Sequence, residues 1–263
     1  MPYQNFFSAA QQNVYNHSTV THAQVTAALG NYVARSMPNA DSDFYAALVE
    51  VVFYSGFKAA TVTPRLPTIH RYFNDFRVAA AYGPTQVAAM KADPNMLGHE
   101  NKIKACIANA QQFVEILRDP RYPTFRDYID SFGPFNVIGN IMNLRQELSE
   151  KFQYLGDITT YHFMMDIGID VVKPDRVLRR IFHRLGLINR NAQLPRLALE
   201  SQIVSEGRTF ASGTGHSCRL IDYVFVVNGQ VEVTDLGMKG ICLENNPRCS
   251  QCQMDNWCPK IPG

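Results

Sequence analysis

Residues 152–161 read Phe-Gln-Tyr-Leu-Gly-Asp-Ile-Thr-Thr-Tyr. This pattern predicts two short helices joined by a tight turn around a small residue, Gly156, so that backbone N–H groups can face a phosphate. Such helix-hairpin-helix turns usually carry two glycines, as in L-P-G-V-G, whereas Ile158 stands at the second position here. An ordinary corner between two helices is therefore the alternative interpretation.

The segment after this turn opens a basic helix that has one acid at its start. Residues 172–180 read Val-Lys-Pro-Asp-Arg-Val-Leu-Arg-Arg, and a helix is predicted over residues 174–185. Asp175 follows a proline, so it fits either a first-turn acid favoured by the helix dipole or a carboxylate with a chemical role. Five basic side chains against this one acid leave a net charge of +4 between residues 173 and 184: Lys173, Arg176, Arg179, Arg180 and Arg184. Such a patch suits phosphate contacts, and a solvated amphipathic face is the competing interpretation.

Helical patterns dominate most of the remaining chain. Residues 99–117 are the most periodic segment, with an apolar stripe predicted to face the interior and Lys102, Lys104 and Gln111 turned away. Residues 43–54 are almost continuously apolar, which predicts a helix buried in the middle of a core.

One run near the C-terminus looks like a strand. Residues 223–234 alternate in part, and Asn228-Gly229 within them indicates a local hairpin, because Asn-Gly favours the tight turn between two strands. The other segments of the chain are predicted to form about ten short helices. The sequence therefore predicts an all-α protein.

The composition excludes several classes of protein. The chain has 263 residues, a formal net charge of +2 and 46% hydrophobic residues, close to the averages of globular proteins. Disordered, collagen-like and coiled-coil architectures are excluded, and no apolar run approaches the roughly 20 residues of a membrane helix. The chain begins Met-Pro-Tyr-Gln-Asn, with neither a basic flank nor an apolar segment, so we expect no secretory signal and no membrane partner. Because the net charge is near zero, any contact with nucleic acid must use a local patch.

Four of the six cysteines lie in the last 22 residues, with the spacing Cys242-x6-Cys249-x2-Cys252-x5-Cys258. Because we expect no secretory leader, clustered cysteines favour metal ligation over disulfides. A zinc ribbon normally offers two C-x2-C pairs far apart, and only one such pair is present. Four thiolates at mixed short spacings suit the corners of a 4Fe–4S cluster, which is bulkier than one ion. A zinc ion and four reduced surface thiols are the alternatives.

Four stretches carry a resemblance to a known superfamily. The cysteine spacing is similar to that of the cluster loop in the endonuclease III and adenine-glycosylase branch of the helix-hairpin-helix (HhH-GPD) DNA glycosylases. Residues 155–168, LGDITTYHFMMDIG, and residues 101–110, NKIKACIANA, resemble the hairpin segment and the K-I-x-A-x-I-x-N-A helix of 3-methyladenine DNA glycosylase I. The helix with Glu50, followed by Gly56-Phe57, is similar in outline to the base-recognition helix of that family. The chain thus resembles a hybrid, with a 3-methyladenine glycosylase body and the acid and cluster loop of the endonuclease III branch.

The resemblance implies an architecture. We expect two helical subdomains, with the helix-hairpin-helix motif at their junction. Residues 41–172 would form a barrel-like domain that ends in the hairpin, and residues 1–40 with 173–263 would form a helical iron–sulfur domain. The four clustered cysteines would hold a structural 4Fe–4S cluster that orders a loop whose basic residues, Arg248 and Lys260, meet DNA phosphate.

The resemblance also assigns roles to individual residues. Asp175 occupies the place of the catalytic aspartate, which stabilises the positive charge that builds on the sugar during cleavage of the glycosidic bond. Contacts with the DNA backbone are expected at Gly156, Asp157, Ile158, Lys173, Arg176, Arg179 and Arg180. Recognition and stacking of an extruded base are expected at Glu50, a charge within an apolar run, and at Tyr54, Phe57, Tyr161 and Phe163. The alternatives are a salt bridge or partial exposure for Glu50 and a place in the core for each aromatic.

The implied function is removal of a damaged base from double-stranded DNA. Bifunctional relatives carry a lysine in the hairpin, but the corresponding position here is Thr160, so we predict a monofunctional N-glycosylase. An alkylated purine is the expected target because its glycosidic bond is weakened; a deaminated or oxidised base is an alternative. A non-catalytic iron–sulfur protein that binds DNA or senses redox state is the alternative from another class. We expect a monomer in the cytoplasm, associated with the nucleoid, of bacterial or archaeal type.

Overall fold

The computed structural model describes residues 3–189 and 194–261. Helices make up 61% of the structure, and the described residues contain no β-strand, so the all-α prediction is confirmed. An isolated bridge joins Val233 and Met238. In chain order, the α-helices of the described residues are α1 (Tyr3–His17), α2 (His22–Gly30), α3 (Asp41–Tyr54), α4 (Ala59–Val62), α5 (Leu66–Tyr72), α6 (Phe76–Ala79), α7 (Pro84–Ala92), α8 (Glu100–Ile116), α9 (Phe125–Asp130), α10 (Ile138–Lys151), α11 (Thr159–Asp166), α12 (Arg176–Arg184), α13 (Arg196–Thr214) and α14 (Cys218–Gly229).

The chain divides into two compact units. Unit 1 comprises Met1–Ala34 and Asp170–Gly263, and unit 2 comprises Arg35–Ile169. Unit 1 is therefore built from both ends of the chain and unit 2 from its middle.

Helix α3 lies at the centre of unit 2. It packs against α8 and α11, and the hydroxyl of Tyr45 donates to the carbonyl of Cys106 at 3.0 Å. The buried side chains of α3 cover more than half of the circumference of the helix: Phe44, Tyr45, Leu48, Val49, Val51, Val52 and Phe53. No single described helix is long and apolar enough to cross a membrane, although α3 together with Ala59–Tyr72 meets that test as a bent pair. The burial of α3 confirms the prediction of a core helix.

Helix α8 confirms the predicted apolar stripe but not the direction of Lys102. Lys104 and Gln111 are exposed as expected, whereas Lys102 is only 2% exposed. Its ammonium donates to the carbonyl of Ser55 at 2.6 Å and to that of Val52, at the end of α3, where backbone carbonyls have no partner within the helix. Burial lowers the pKa of Lys102 to about 8. Lys102 thus ties the end of α3 to α8.

Helix α14 of unit 1 replaces the hairpin predicted for residues 223–234. Ser217 caps it by accepting a hydrogen bond from the N–H of Leu220. Asn228 lies in the interior, where its side-chain amide donates to the carbonyl of Ala10 at 2.9 Å, and a Cβ on Gly229 would clash with Val177. The prediction was wrong because α14 is buried on nearly all sides, so its apolar residues form an almost continuous run, which a buried helix and a buried strand can share.

The core of unit 1 joins α12, α13 and α14. Phe182 and Phe210 stack at 6.2 Å between ring centroids, and Phe225 meets both rings edge-on. This core supports the extended segment 170–175 and the cysteine loop 242–258.

Candidate active site

Asp175 is the N-cap of α12. Its Oδ1 accepts hydrogen bonds from the N–H groups of Val177 and Leu178, both at 2.9 Å. Its Oδ2 lies 3.6 Å from the ammonium of Lys173, and 20% of the Asp175 side chain is exposed. The cap fixes the orientation of the carboxylate, while the second oxygen stays beside a cation near the surface. This geometry satisfies the helix terminus and also suits a pre-oriented reactive carboxylate.

Asp222 is an acid near this segment that sequence reasoning missed. It lies on α14, is 5% exposed, and its Oδ1 accepts the backbone N–H of Lys173 at 2.8 Å. Burial, chiefly, raises the pKa of Asp222 to about 7. Asp222 is recognisable in the sequence as a lone acid in an apolar run. It was missed because the residues directly after it, 223–234, were predicted to form a hairpin.

The arginines of α12 are divided between surface and interior. Arg176 has an 83% exposed side chain near Glu244, and Arg179 is partly exposed. The side chain of Arg180 is 9% exposed because its guanidinium donates to the carbonyl of Gly229 at 2.7 Å and to that of Cys242. Burial lowers the pKa of Arg180. The phosphate contact predicted for Arg180 is thus corrected to an interior role, whereas Arg176 and Arg179 stand at the surface.

The four clustered cysteines surround one cavity of unit 1, with a volume of about 160 Å³. Its lining includes all four thiols and several apolar side chains: Cys242, Cys249, Cys252, Cys258, Ile181, Leu185, Ile241 and Met254. Across residues 3–189 and 194–261, no three His, Cys, Asp or Glu side chains are arranged to hold a single metal ion. The four cysteines that the spacing predicted as cluster ligands therefore line one common cavity.

Hydrogen-bond donors point at two of these sulfur atoms. The guanidinium of Arg184 lies 3.3 Å from Sγ of Cys242, and the side-chain amide of Asn13 lies 3.5 Å from Sγ of Cys252. Burial raises the pKa of the Cys252 and Cys258 thiols. Such N–H donors are the partners that metal-bound thiolates commonly have.

The hairpin turn of unit 2 joins α10 to α11 and is closed by one threonine. Thr159 Oγ1 accepts the N–H of Gly156 at 2.8 Å and donates to the carbonyl of Tyr154 at 2.6 Å. Tyr154 has a φ of +66°, whereas Ile158 has a φ of −100°. The left-handed conformation therefore falls on Tyr154, which explains why Ile158 is accommodated where the usual turn has a second glycine.

Gly156 and Asp157 form the outer edge of this turn. Gly156 is exposed and is not in the left-handed region, and a Cβ there would meet only Thr159 Oγ1, at 3.9 Å. Nothing inside the protein requires this glycine, so its open surface is available to an approaching ligand. Arg145, 8% exposed, lies 2.5 Å from the half-exposed carboxylate of Asp157 and offsets a charge that would repel phosphate.

Glu50 is paired but not buried. Its carboxylate lies 2.9 Å from Nε2 of His70, and 38% of its side chain is exposed. Glu50 therefore lies at the edge of α3, paired and partly exposed, as the alternative to a buried carboxylate predicted. An exposed carboxylate oriented by a histidine remains compatible with a base-recognition role.

The four aromatic candidates for stacking separate into two groups. Tyr161 and Phe163 are both 0% exposed inside α11, so the prediction that they stack on a base is corrected to a core role. The hydroxyl of Tyr54 lies 3.0 Å from that of Thr63, and Phe57 is partly exposed, with its ring edge-on to His99 at 5.7 Å. Only Tyr54 and Phe57 stay accessible.

Residues 35–174 match a protein-family model described as methyladenine glycosylase. The match covers more than half of the chain and ends directly before Asp175. Neither Asp175 nor the cysteine loop lies within it. No curated protein sequence matches this chain significantly.

Solved structures of 3-methyladenine DNA glycosylase I are similar to part of the chain. One is 18% identical with a TM-score of 0.46, and the match covers 54% of this chain and 87% of that chain. A variant of the Staphylococcus aureus protein is 15% identical with a TM-score of 0.47, covering 57% and 88%. The S. aureus structure that describes recognition of 3-methyladenine is 15% identical with a TM-score of 0.48, covering 59% and 92%.

Proposed function

Because the chain belongs to the methyladenine glycosylase family, we propose that it is a monofunctional DNA N-glycosylase of base-excision repair that releases an alkylated purine from double-stranded DNA. The family match over residues 35–174 is the observation that carries this proposal. The hairpin turn of unit 2 and the capped carboxylate of unit 1 support it from the residues themselves.

The chemistry is hydrolysis of the bond between C1′ of deoxyribose and a ring nitrogen of the base. An alkylated purine leaves readily because the bonding electron pair neutralises its positive charge. Asp175 stabilises the positive charge that develops on the sugar and accepts a proton from the water that adds to C1′. The cap on α12 holds this carboxylate in place before the reaction, so little reorganisation is needed.

Binding of DNA precedes this step. Phosphates are contacted by the open edge of the hairpin at Gly156, by the exposed Arg176 and by the partly exposed Arg179. These contacts supply the affinity for DNA that a net charge of +2 does not. The damaged base leaves the stack at a cost of about a few kcal/mol, less where its pairing is already weakened. Glu50 accepts a hydrogen bond from the base, and Tyr54 and Phe57 offer aromatic surface to it.

The proposal includes a 4Fe–4S cluster held by Cys242, Cys249, Cys252 and Cys258. The cavity that all four thiols line, its apolar walls and the donors from Arg184 and Asn13 fit such a group. When bound, the cluster would order the cysteine loop and take no part in base release. The cluster is supported if the purified protein contains equal amounts of iron and acid-labile sulfide and absorbs near ~400 nm. Colourless protein that contains zinc contradicts it.

The function is tested with duplex oligonucleotides that each carry one lesion. Alkylated, deaminated and oxidised bases are compared, and the released bases are identified by chromatography. We expect release of alkylated purines and strands that stay intact until alkali cleaves the abasic site. Release of only deaminated or oxidised bases would reassign the substrate, and DNA binding without any release would favour the non-catalytic alternative.

A further inference from the structure

The backbone just before Asp175 is held by a buried carboxylate. Asp222 on α14 is 5% exposed, and its Oδ1 accepts the backbone N–H of Lys173 at 2.8 Å. A carboxylate so deeply buried costs free energy unless partners compensate it. Its partners here are the peptide and the ammonium of Lys173, because both the hydrogen bond and the lysine charge favour the ionised form.

A second helix braces the same segment from its other end. The guanidinium of Arg208 on α13 donates to the carbonyl of Asp170 at 2.7 Å. On the same helix, Gly207 allows Val172 to approach so closely that a Cβ would clash with it. The extended segment 170–175 therefore packs against α13 and α14 along its length. Of the hydrogen bonds that these two helices make to the segment, the one from Lys173 to Asp222 lies nearer to Asp175.

Lys173 contacts Asp175 through both its backbone carbonyl and its side chain. The N–H of Asp175 donates to the carbonyl of Lys173 at 2.7 Å, and the Lys173 ammonium lies 3.6 Å from Oδ2 of Asp175. A shift of the Lys173 peptide would therefore move both the Asp175 backbone and the cation beside its carboxylate. Oδ1 is held by α12, so such a shift would act on the orientation of Oδ2.

We propose that Asp222 is the positioning residue of the Asp175 carboxylate and acts through the backbone and side chain of Lys173. The proposal rests on the proposed glycosylase function of Asp175. Asp222 touches no substrate; it holds the peptide from which the reactive carboxylate is presented. This assigns a role in the reaction to a residue on α14, which lies outside the family match.

The test separates positioning from general support of the fold. Asp222→Asn keeps an oxygen acceptor for the Lys173 N–H, whereas Asp222→Ala and the similarly sized Asp222→Leu remove it. Ser217→Ala, which removes the cap of the same helix without touching Lys173, is the matched control for destabilised α14. Each variant is measured for thermal midpoint, for affinity to duplex DNA with a tetrahydrofuran abasic analogue, and for single-turnover base release at saturating enzyme.

We expect Asp222→Ala and Asp222→Leu to slow single-turnover release by about 10- to 100-fold while affinity for the abasic analogue stays within about threefold. Asp222→Asn and Ser217→Ala should stay within about threefold of the wild-type rate. Two results would overturn the proposal: release by both acceptor-free variants that equals the wild type, or an equal loss in Asp222→Asn. Where Asp222→Ala does not fold, Asp222→Leu and Asp222→Asn still decide. A wild-type protein that releases no base refutes the proposed function instead, so the two failures are distinguishable.

Discussion

The hairpin turn of unit 2 and the Asp175 segment of unit 1 each present polar groups where a helix begins, but different contacts hold them. The turn is closed by Thr159, which bonds residues three and five positions away in sequence. The Asp175 segment depends on Asp222, which is 49 positions from its partner Lys173. The turn is thus a local structure, whereas the Asp175 carboxylate is placed by tertiary packing. Under the proposed function, the turn binds DNA and Asp175 takes part in base release. Changes in the first should alter affinity, and changes in the second should alter rate.

The sharpest test of this contrast is Asp175→Asn. Asparagine caps a helix about as well as aspartate, so the thermal midpoint should stay close to that of the wild type. Loss of the negative charge should slow single-turnover base release by about 10²- to 10⁴-fold with little change in affinity for abasic-analogue DNA. A variant that releases base at the wild-type rate would remove Asp175 from the chemistry.

Asp222 should link the stability of unit 1 to pH. Its folded pKa of about 7 lies above the ordinary value of 3.8, so the folded state binds more protons between these two pH values. The free energy of unfolding should therefore fall as pH rises through this window, by roughly 3–4 kcal/mol when complete. Lys173, Asp175 and Arg219 are the charged groups that act on it. The stability advantage of Asp222→Asn should grow from about pH 4 to about pH 7 in thermal unfolding; a difference that is constant with pH would contradict this account.

Arg145→Met should weaken DNA binding without slowing the chemical step. Loss of the guanidinium removes a positive charge that lies 2.5 Å from the Asp157 carboxylate, so repulsion between this carboxylate and phosphate increases, and we expect a loss of affinity of about tenfold at low salt. Adding Asp157→Asn to Arg145→Met should restore most of the affinity, because it removes the repelling charge. Fluorescence anisotropy with an abasic-analogue duplex measures both. A double variant as weak as Arg145→Met would show that repulsion is not the cause.

Gly156→Ala should have the smallest effect and the most selective one. The added methyl meets nothing closer than 3.9 Å within the chain, so the free energy of unfolding should stay equal or rise by about 0.4–1 kcal/mol. Affinity for DNA should fall by about threefold because the methyl occupies the surface that meets phosphate. Gly139→Ala on α10, where a Cβ also meets nothing, is the matched control and should leave affinity unchanged. Equal affinity in both variants would place the phosphate contact elsewhere.

Local patterns predicted a substantial part of the molecule. The period of residues 99–117 and the apolar run at 43–54 predicted α8 and α3, because each segment shows in its own sequence how it is buried. Residues 152–161 likewise predicted the corner that Thr159 closes. The cysteine spacing remains the basis for the proposed cluster, and the structure adds a cavity that all four thiols line.

Two of the errors share one physical cause, which is contact between residues far apart in sequence. Lys102 was predicted to face solvent, but carbonyls at the end of α3 hold its ammonium in the interior. Arg180 was predicted to meet phosphate, but the carbonyls of Gly229 and Cys242 hold its guanidinium. In both cases a charged side chain found backbone partners that a sequence pattern does not reveal.

The sequence by itself determined the helical class, the hairpin corner and the clustered thiols, because each depends on neighbours within a few positions. Only the tertiary structure decided that residues 218–229 form a helix, that Asp222 lies behind Lys173 and that Tyr161 and Phe163 belong to the core. An almost continuous apolar run does not by itself distinguish a buried helix from a buried strand, and a hydrogen bond across 49 positions forms only when two distant segments are brought together. The placement of Asp175 therefore belongs to the fold of unit 1 as a whole.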